Sequence, residues 1–246
     1  MKTVIIAVSA AICCIAFTFF IMNMQLNRQK ATSDHELLLS VEKTVQKRIG
    51  ELSSGTYQQL QSLADVIASQ KDFSLRILVE NDRSSPYITE MASQFLHPMG
   101  FSVLEIADSS YTILSSGHFP ASAGNSCAEK AKQLSSSASA CIENIMGKPT
   151  LTFQARSKFS IAGFIFYVMG GMVIDTTLLK KLTPNKNVTI LLKNGNEYIG
   201  RNDIRSISAI KDNHIIINDK KHLASSIEFP SSGLDSKLEL VILLKK

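Results

Sequence analysis

The sequence predicts an α+β protein: an N-terminal transmembrane helix, a long amphipathic helix, then an antiparallel sheet with short flanking helices. Three observations carry that prediction. An uncharged apolar run extends from Val4 to Met22. An apolar stripe at helical spacing follows, from Leu38 to Ile67. Beyond about residue 100 the helical period gives way to short β-type runs separated by Gly, Pro and Asn-Gly turns.

The first run is long enough to span a bilayer. At ~1.5 Å per residue its roughly 19 residues reach ~28 Å, against a hydrocarbon core of ~30 Å. It ends in Phe19-Phe20-Ile21-Met22-Asn23-Met24-Gln25, which offers no small-x-small cleavage site, so an uncleaved anchor is expected rather than a removed signal peptide. Cys13 and Cys14 lie inside the run as apolar filler. Lys2 with the terminal amine on one flank balances Arg28 and Lys30 on the other. The very short first flank favours an N-terminus inside and the remaining chain outside the cytoplasmic membrane.

Residues 1–30 are therefore read as anchor and flank, 31–70 as a stalk and dimerisation helix, and 71–246 as a folded domain. In the stalk, Leu38, Val41, Val45, Ile49, Leu52, Thr56, Leu60, Leu63 and Ile67 repeat every 11 residues. Eleven residues in three turns keep such a stripe nearly straight along a helix. A helix over 34–70 is expected, capped by Ser33 or Asp34. Its membrane-proximal half is assigned to pairing with a second copy and its distal half to docking on the domain.

Lys71 to Glu80 and Tyr87 to Leu96 read as helices. Phe101 to Ala107 and Tyr111 to Ser116 read as a hairpin turning at Asp108-Ser109-Ser110. Ala128 to Met146 reads as a broken helix. Thr150 to Ala155 and Ala162 to Ile174 read as strands, the second containing Gly170-Gly171 for a bulge or a close backbone approach. Asp175 is expected to cap a short helix that Thr183-Pro184 stops. Asn194-Gly195 marks a further hairpin, and 214–218, 223–229 and 237–244 complete the strands.

Composition narrows the function. The net charge is +5, and the whole basic excess falls after Leu179, dispersed along the segment rather than in a stripe interleaved with aromatics. Nucleic-acid binding is not expected. There is no CxxC and no His pair at helical spacing, so neither a metal nor a cofactor is expected. Cys127 and Cys141 form a possible disulfide if the serine-rich stretch 135–139 supplies a turn; on one straight helix they would lie about 21 Å apart, far beyond the ~7 Å limit. No nucleophile elbow with a positioned base is present, and the chain is not expected to be an enzyme.

Two segments resemble a known family. Leu104-Glu105-Ile106-Ala107-Asp108 through Ser115-Ser116-Gly117-His118-Phe119-Pro120, and Tyr167 to Asp175 with its Gly170-Gly171 step, are similar to the extracytoplasmic PAS/Cache-like input domains of bacterial sensor histidine kinases. The resemblance implies a periplasmic sensor domain that is non-catalytic in itself, part of two-component signal transduction and tethered to the inner membrane. No nucleotide box, HAMP linker or phospho-acceptor helix accompanies it, so kinase activity is not assigned to these residues. The double-Cache amino-acid motif is also missing, since there is no Trp.

Ser115, His118, Arg156 and Tyr167 are the candidate ligand contacts. His118 stands out because its imidazole can contact a ligand or report pH. The expected partners are the lipid bilayer through residues 4–22, a second copy through the 38–67 helix, and a small-molecule or protein signal. The competing reading is a bitopic scaffold of a pilus or type II secretion platform.

Overall fold

The computed structural model describes residues 2–200, 207–208, 210–211, 213–234 and 236–244, with the side chains of all of these except 2–17, 27 and 31. A single helix, α1 (Lys2–Ser69), runs through the first third of the chain. The expected cap at Ser33 or Asp34 does not interrupt it. The sequence there lacks the Pro or Gly that would break a helix, so flank and stalk form one rod. The run Val4–Met22 falls largely on residues whose side chains lie outside the description. Among the described residues no helix is long and apolar enough to cross a membrane.

After α1 come α2 (Lys71–Ser74), a π-helical turn (Leu75–Val79), α3 (Pro86–Thr89) and α4 (Met91–Leu96). The first sheet is built from β1 (Val103–Asp108), β2 (Ile113–Ser116), β3 (Ser139–Ile145), β4 (Lys148–Ile161) and β5 (Phe164–Val173), with α5 (Ala128–Gln133) between β2 and β3. Next, α6 (Thr176–Leu182) leads to β6 (Val188–Asn194), β7 (Glu197–Ile199), β8 (His214–Ile217), β9 (Lys220–Phe229) and β10 (Leu238–Leu244).

The sequence predicted one sheet; there are two, and they repeat one topology. The first has order β2-β1-β5-β4-β3 and the second β7-β6-β10-β9-β8, every pairing antiparallel. Both share one hydrophobic core with α1 and α6. They are also joined by backbone: Ala140 N donates to Pro230 O (2.7 Å) and Ser232 N to Ala140 O (2.8 Å).

The apolar stripe of α1 is buried nearly as read. Leu38, Val41, Val45, Ile49, Thr56, Leu60, Leu63 and Ile67 are all inside, and Leu52 is half-buried. The expected division of labour does not hold, because the membrane-proximal residues Leu38 to Ile49 are already covered by this chain's own core. A second copy along this helix has other surface available, such as the exposed Leu37 and Leu39. Polar contacts fix the rod too. Arg48 donates to the carbonyls of Lys181 and Thr183 (3.1 and 2.7 Å), and Ser157 Oγ meets Gln61 Oε1 at 2.8 Å.

Several local expectations are met. Asp108 organises its turn by accepting from Ser110 N and Thr112 N (2.9 and 3.0 Å). Asp175 Oδ1 caps α6 through Thr177 N and Leu178 N (2.8 and 2.9 Å). Gly170 and Gly171 serve close approach rather than a bulge, since the register runs through them unbroken on both sides. A Cβ on Gly171 would lie 1.9 Å from Phe153 O.

One element was misread. The broken helix over 128–146 is α5 followed by β3, an edge strand paired with β4 from Ser139↔Gln154 to Ile145↔Lys148. Its small and polar residues mimic a helix, while its alternate positions Cys141 and Glu143 face one side of the sheet.

Candidate functional site

The first sheet has two different faces. Leu104, Ile106, Phe153, Ala155, Phe166 and Val168 pack toward α1. The opposite face, under α5, carries Ala107, Cys141 and Met169 with Ile113, Cys127, Ala131 and Leu134 as a small separate core. Beside that core a cleft of about 880 Å³ opens, with Glu105, His118, Lys130 and Glu143 in its wall together with Phe119, Asn125 and Asn144.

The cleft floor is a buried charged cluster. Glu105 sits mid-strand in β1, Glu143 in the edge strand β3, His118 just beyond β2 and Lys130 on α5. Lys130 Nζ donates to Glu143 Oε2 at 2.8 Å and also to Glu105 Oε2. His118 Nε2 faces Glu105 Oε1 at 3.8 Å and Glu143 Oε1 at 3.7 Å, while Nδ1 lies 3.3 Å from Ser116 Oγ. Gln154 Nε2 donates to Glu143 Oε2 (3.0 Å) and Thr152 Oγ1 (2.8 Å). The buried Gln154 Oε1 has no hydrogen-bond partner among the described residues.

Electrostatics keep Glu143 and Lys130 ionised. Burial pushes the Glu143 carboxyl upward, but the facing His118, the Lys130 charge and the Lys130 and Gln154 hydrogen bonds outweigh it and hold the pKa at about 2. Burial works against the Lys130 ammonium, yet the two carboxylates override it and raise its pKa. Cys127 moves the other way: burial, with help from Glu105, pushes its thiol up to about 11. It therefore remains a neutral thiol at physiological pH.

The four candidate residues separate. His118 lies in the cluster. Ser115 is on the other face, where it accepts from Ala92 N (2.9 Å) and donates to Thr89 O (2.7 Å), tying α3 and α4 to β2. Its neighbour Ser116 is the one that reaches His118, as strand alternation requires. Arg156 and Tyr167 share the α5 face but serve to hold α5. Arg156 Nη1 donates to Ala131 O, and its guanidinium lies 5.2 Å from the Tyr167 ring centroid. Tyr167 in turn stacks on Tyr111, with centroids 4.9 Å apart. Cys127 and Cys141 are both buried and free in this structure; their sulfurs contact Tyr111 O (3.2 Å) and Thr152 Oγ1 (3.7 Å).

Glu105, Lys130, Glu143 and Gln154 escaped the sequence reading. One signal was available: Glu105 is a charge in the middle of Val103-Leu104-Glu105-Ile106-Ala107, where a buried strand carries a charge only with a partner.

No protein-family description matches the sequence, and no curated protein matches it. Solved structures do. The periplasmic domain of Vibrio cholerae LuxQ superposes with a TM-score of 0.54 at 13% identity, covering 85% of this chain and 100% of that one. The sensor domain of the V. cholerae histidine kinase DctB gives 0.51 at 11% identity, covering 86% and 98%. The chain shares the fold of these two domains. Within this fold, the cleft lies on the first of the two sheets, in the half further along α1 from the N-terminus.

Proposed function

We propose that the chain is a membrane-anchored, extracytoplasmic signal-sensing domain, non-catalytic in itself, whose ligand enters the cleft over Glu105, His118, Lys130 and Glu143. The observation that carries this reading is the buried cluster of acidic and basic side chains at the floor of an open cleft. Two carboxylates, an ammonium and an imidazole are expensive to bury, and they lie where a polar ligand can reach them. The input-domain fold supports the reading. So do the exposed apolar side chains Phe19, Phe20, Ile21 and Met22 at the end of the Val4–Met22 run, with Met24 and Leu26 just beyond it on α1.

In this reading, residues 4–22 hold the chain in the inner membrane, and the domain lies outside the cytoplasm. Binding alters how α5 seats on the first sheet. Because β4 and β5 pack on α1 with their other face, the rod transmits the change toward the lipid. A homodimer through α1 uses surface outside the buried stripe.

The test is a thermal-shift screen of the full chain in detergent against small metabolites. A ligand at 100 times its Kd stabilises by about 2.7 kcal/mol, roughly 5–10 °C for a chain of this size. The expected result is such a shift with at least one compound, reduced in Glu105→Gln. If no compound of any charge class shifts the transition, the sensing role falls and the scaffold reading takes its place. Carbonate extraction from membranes and a C-terminal alkaline phosphatase fusion test the anchor: the chain stays in the pellet and the fusion is active.

A further inference from the structure

We propose that Glu105, His118 and Glu143 bind a divalent first-row transition metal at the cleft floor, in competition with the Lys130 ammonium that pairs with the same two carboxylates. The inference deepens the sensing role at the same cleft and rests on it only for what the metal reports.

One ligand atom from each of the three side chains lies within 4.8 Å of the others, and all three residues are buried. The decisive atom is His118 Nε2. His118 is only 4% exposed. Its Nε2 points at both carboxylates from 3.7 and 3.8 Å, too far for direct hydrogen bonds. Ligand atoms around a tetrahedral ion with ~2.1 Å bonds sit ~3.4 Å apart, so these two separations need to close by only a few tenths of an ångström.

Partners behind the donors are already in place. Ser116 Oγ sits on His118 Nδ1, and Gln154 Nε2 on the Glu143 carboxylate, so two of the three donors are oriented from behind. The cleft supplies an entry path and room for a coordinated water or exogenous ligand.

Lys130 is the resident counter-ion, and its replacement is balanced in charge. One ammonium neutralises one of the two carboxylates; a dication neutralises both. Lys130 is carried by the six-residue α5 on a flexible stem, and its side chain is 18% exposed, so the ammonium leaves into the cleft as the metal enters. The metal thereby changes what holds α5 to the sheet. The imidazole donor selects a transition metal over Ca²⁺ or Mg²⁺, which prefer all-oxygen shells.

The experiment is isothermal titration of the full, untagged, chelator-stripped chain in detergent with ZnCl₂, repeated with MgCl₂ and CaCl₂. One saturable Zn²⁺ per chain is expected, weakened at least tenfold in both His118→Ala and Glu143→Gln and unchanged in the double variant Cys127→Ser/Cys141→Ser. Lys130→Met keeps all three donors and removes the competitor. It is expected to bind Zn²⁺ about tenfold more tightly and to gain more in Tm on adding Zn²⁺ than the parent chain, which decides the matter even if His118→Ala does not fold. Absence of saturable uptake overturns the site. So does uptake that survives in His118→Ala, uptake lost with the cysteines, equal binding of Mg²⁺ or Ca²⁺, or a Lys130→Met affinity no higher than the parent's. A metabolite shift without Zn²⁺ binding leaves the sensing role standing and removes the metal alone.

Discussion

The two sheets share one strand order and differ in what their outer faces hold. The outer face of the first sheet carries Glu105, Thr152, Gln154, Glu143 and Arg156 beneath α5. In the second, a separate aliphatic cluster of Leu191, Ile215, Ile217, Ala224, Val241 and Leu243 is completed by Tyr198, Ile207 and Ile210. Topology therefore does not dictate a site. A five-stranded antiparallel sheet of this order is satisfied by plain hydrophobic burial, as the second half shows. The first half gives up that simple solution for a charged cluster that only internal pairing makes tolerable. The difference concentrates buried polar groups on the first sheet and leaves the outer face of the second to aliphatic packing.

The sharpest way to break the first sheet alone is Gly171→Ala. Its Cβ would meet Phe153 O at 1.9 Å, with Gln154 Cα at 2.8 Å, in the middle of the β4–β5 pairing. Backbone must move to admit it, and a loss of about 3 kcal/mol or more is expected, read as a drop in Tm or failure to fold. A near-parental Tm would mean that the two strands are not as closely apposed as described.

Ion pairs separate the halves next. Lys130→Ala leaves two buried carboxylates facing each other without a counter-charge, which costs about 3–5 kcal/mol. Lys193→Ala in the second sheet removes a pair with Glu239 at 3.2 Å between side chains that are 36% and 42% exposed, and costs at most about 1 kcal/mol. Equal losses in denaturant titrations would erase the distinction between the two faces.

Acid acts on the same contrast. The folded pKa of Glu143, about 2, lies below its ordinary 4.5. Its contribution is therefore complete above about pH 4.5 and fades as pH falls toward 2, a loss on the order of 3 kcal/mol. Glu143→Gln is expected to flatten that part of the stability–pH curve.

Sequence patterns recovered the elements whose periodicity was strong. The α1 stripe, the Asp108 turn, the Asp175 cap and the Asn194-Gly195 hairpin were all legible, because each is specified within a few neighbouring residues. The charged cluster was not. Reading 128–146 as a broken helix left the separation of Lys130 and Glu143, 13 positions apart, unspecified; on one straight helix it would be about 20 Å. In the structure they are hydrogen-bonded, because the chain reverses after α5 and returns as an edge strand. Residues brought together by such a reversal leave no local signature. Ser115 was chosen where Ser116 was needed for a related reason: in a strand, one position is the difference between two faces. The repetition of the strand order was equally hidden, since the two sheets arrive at it with unrelated residues.

The smallest expected effect comes from a pair of serines, one on each sheet. Ser115 is fully buried in the first and makes two hydrogen bonds, to Ala92 N and Thr89 O. Ser225 is buried in β9 of the second, and its hydroxyl has no partner among the described residues. Ser115→Ala strands a buried amide and a carbonyl and is expected to cost about 1–3 kcal/mol. Ser225→Ala removes a hydroxyl that was desolvated for no return, so its ΔΔG is expected to be near zero or slightly stabilising. Chemical denaturation of the two single variants reads the difference directly. A loss in Ser225→Ala as large as that in Ser115→Ala would show that the second sheet also depends on a specific polar contact, and it would narrow the contrast between a polar half and one held by packing.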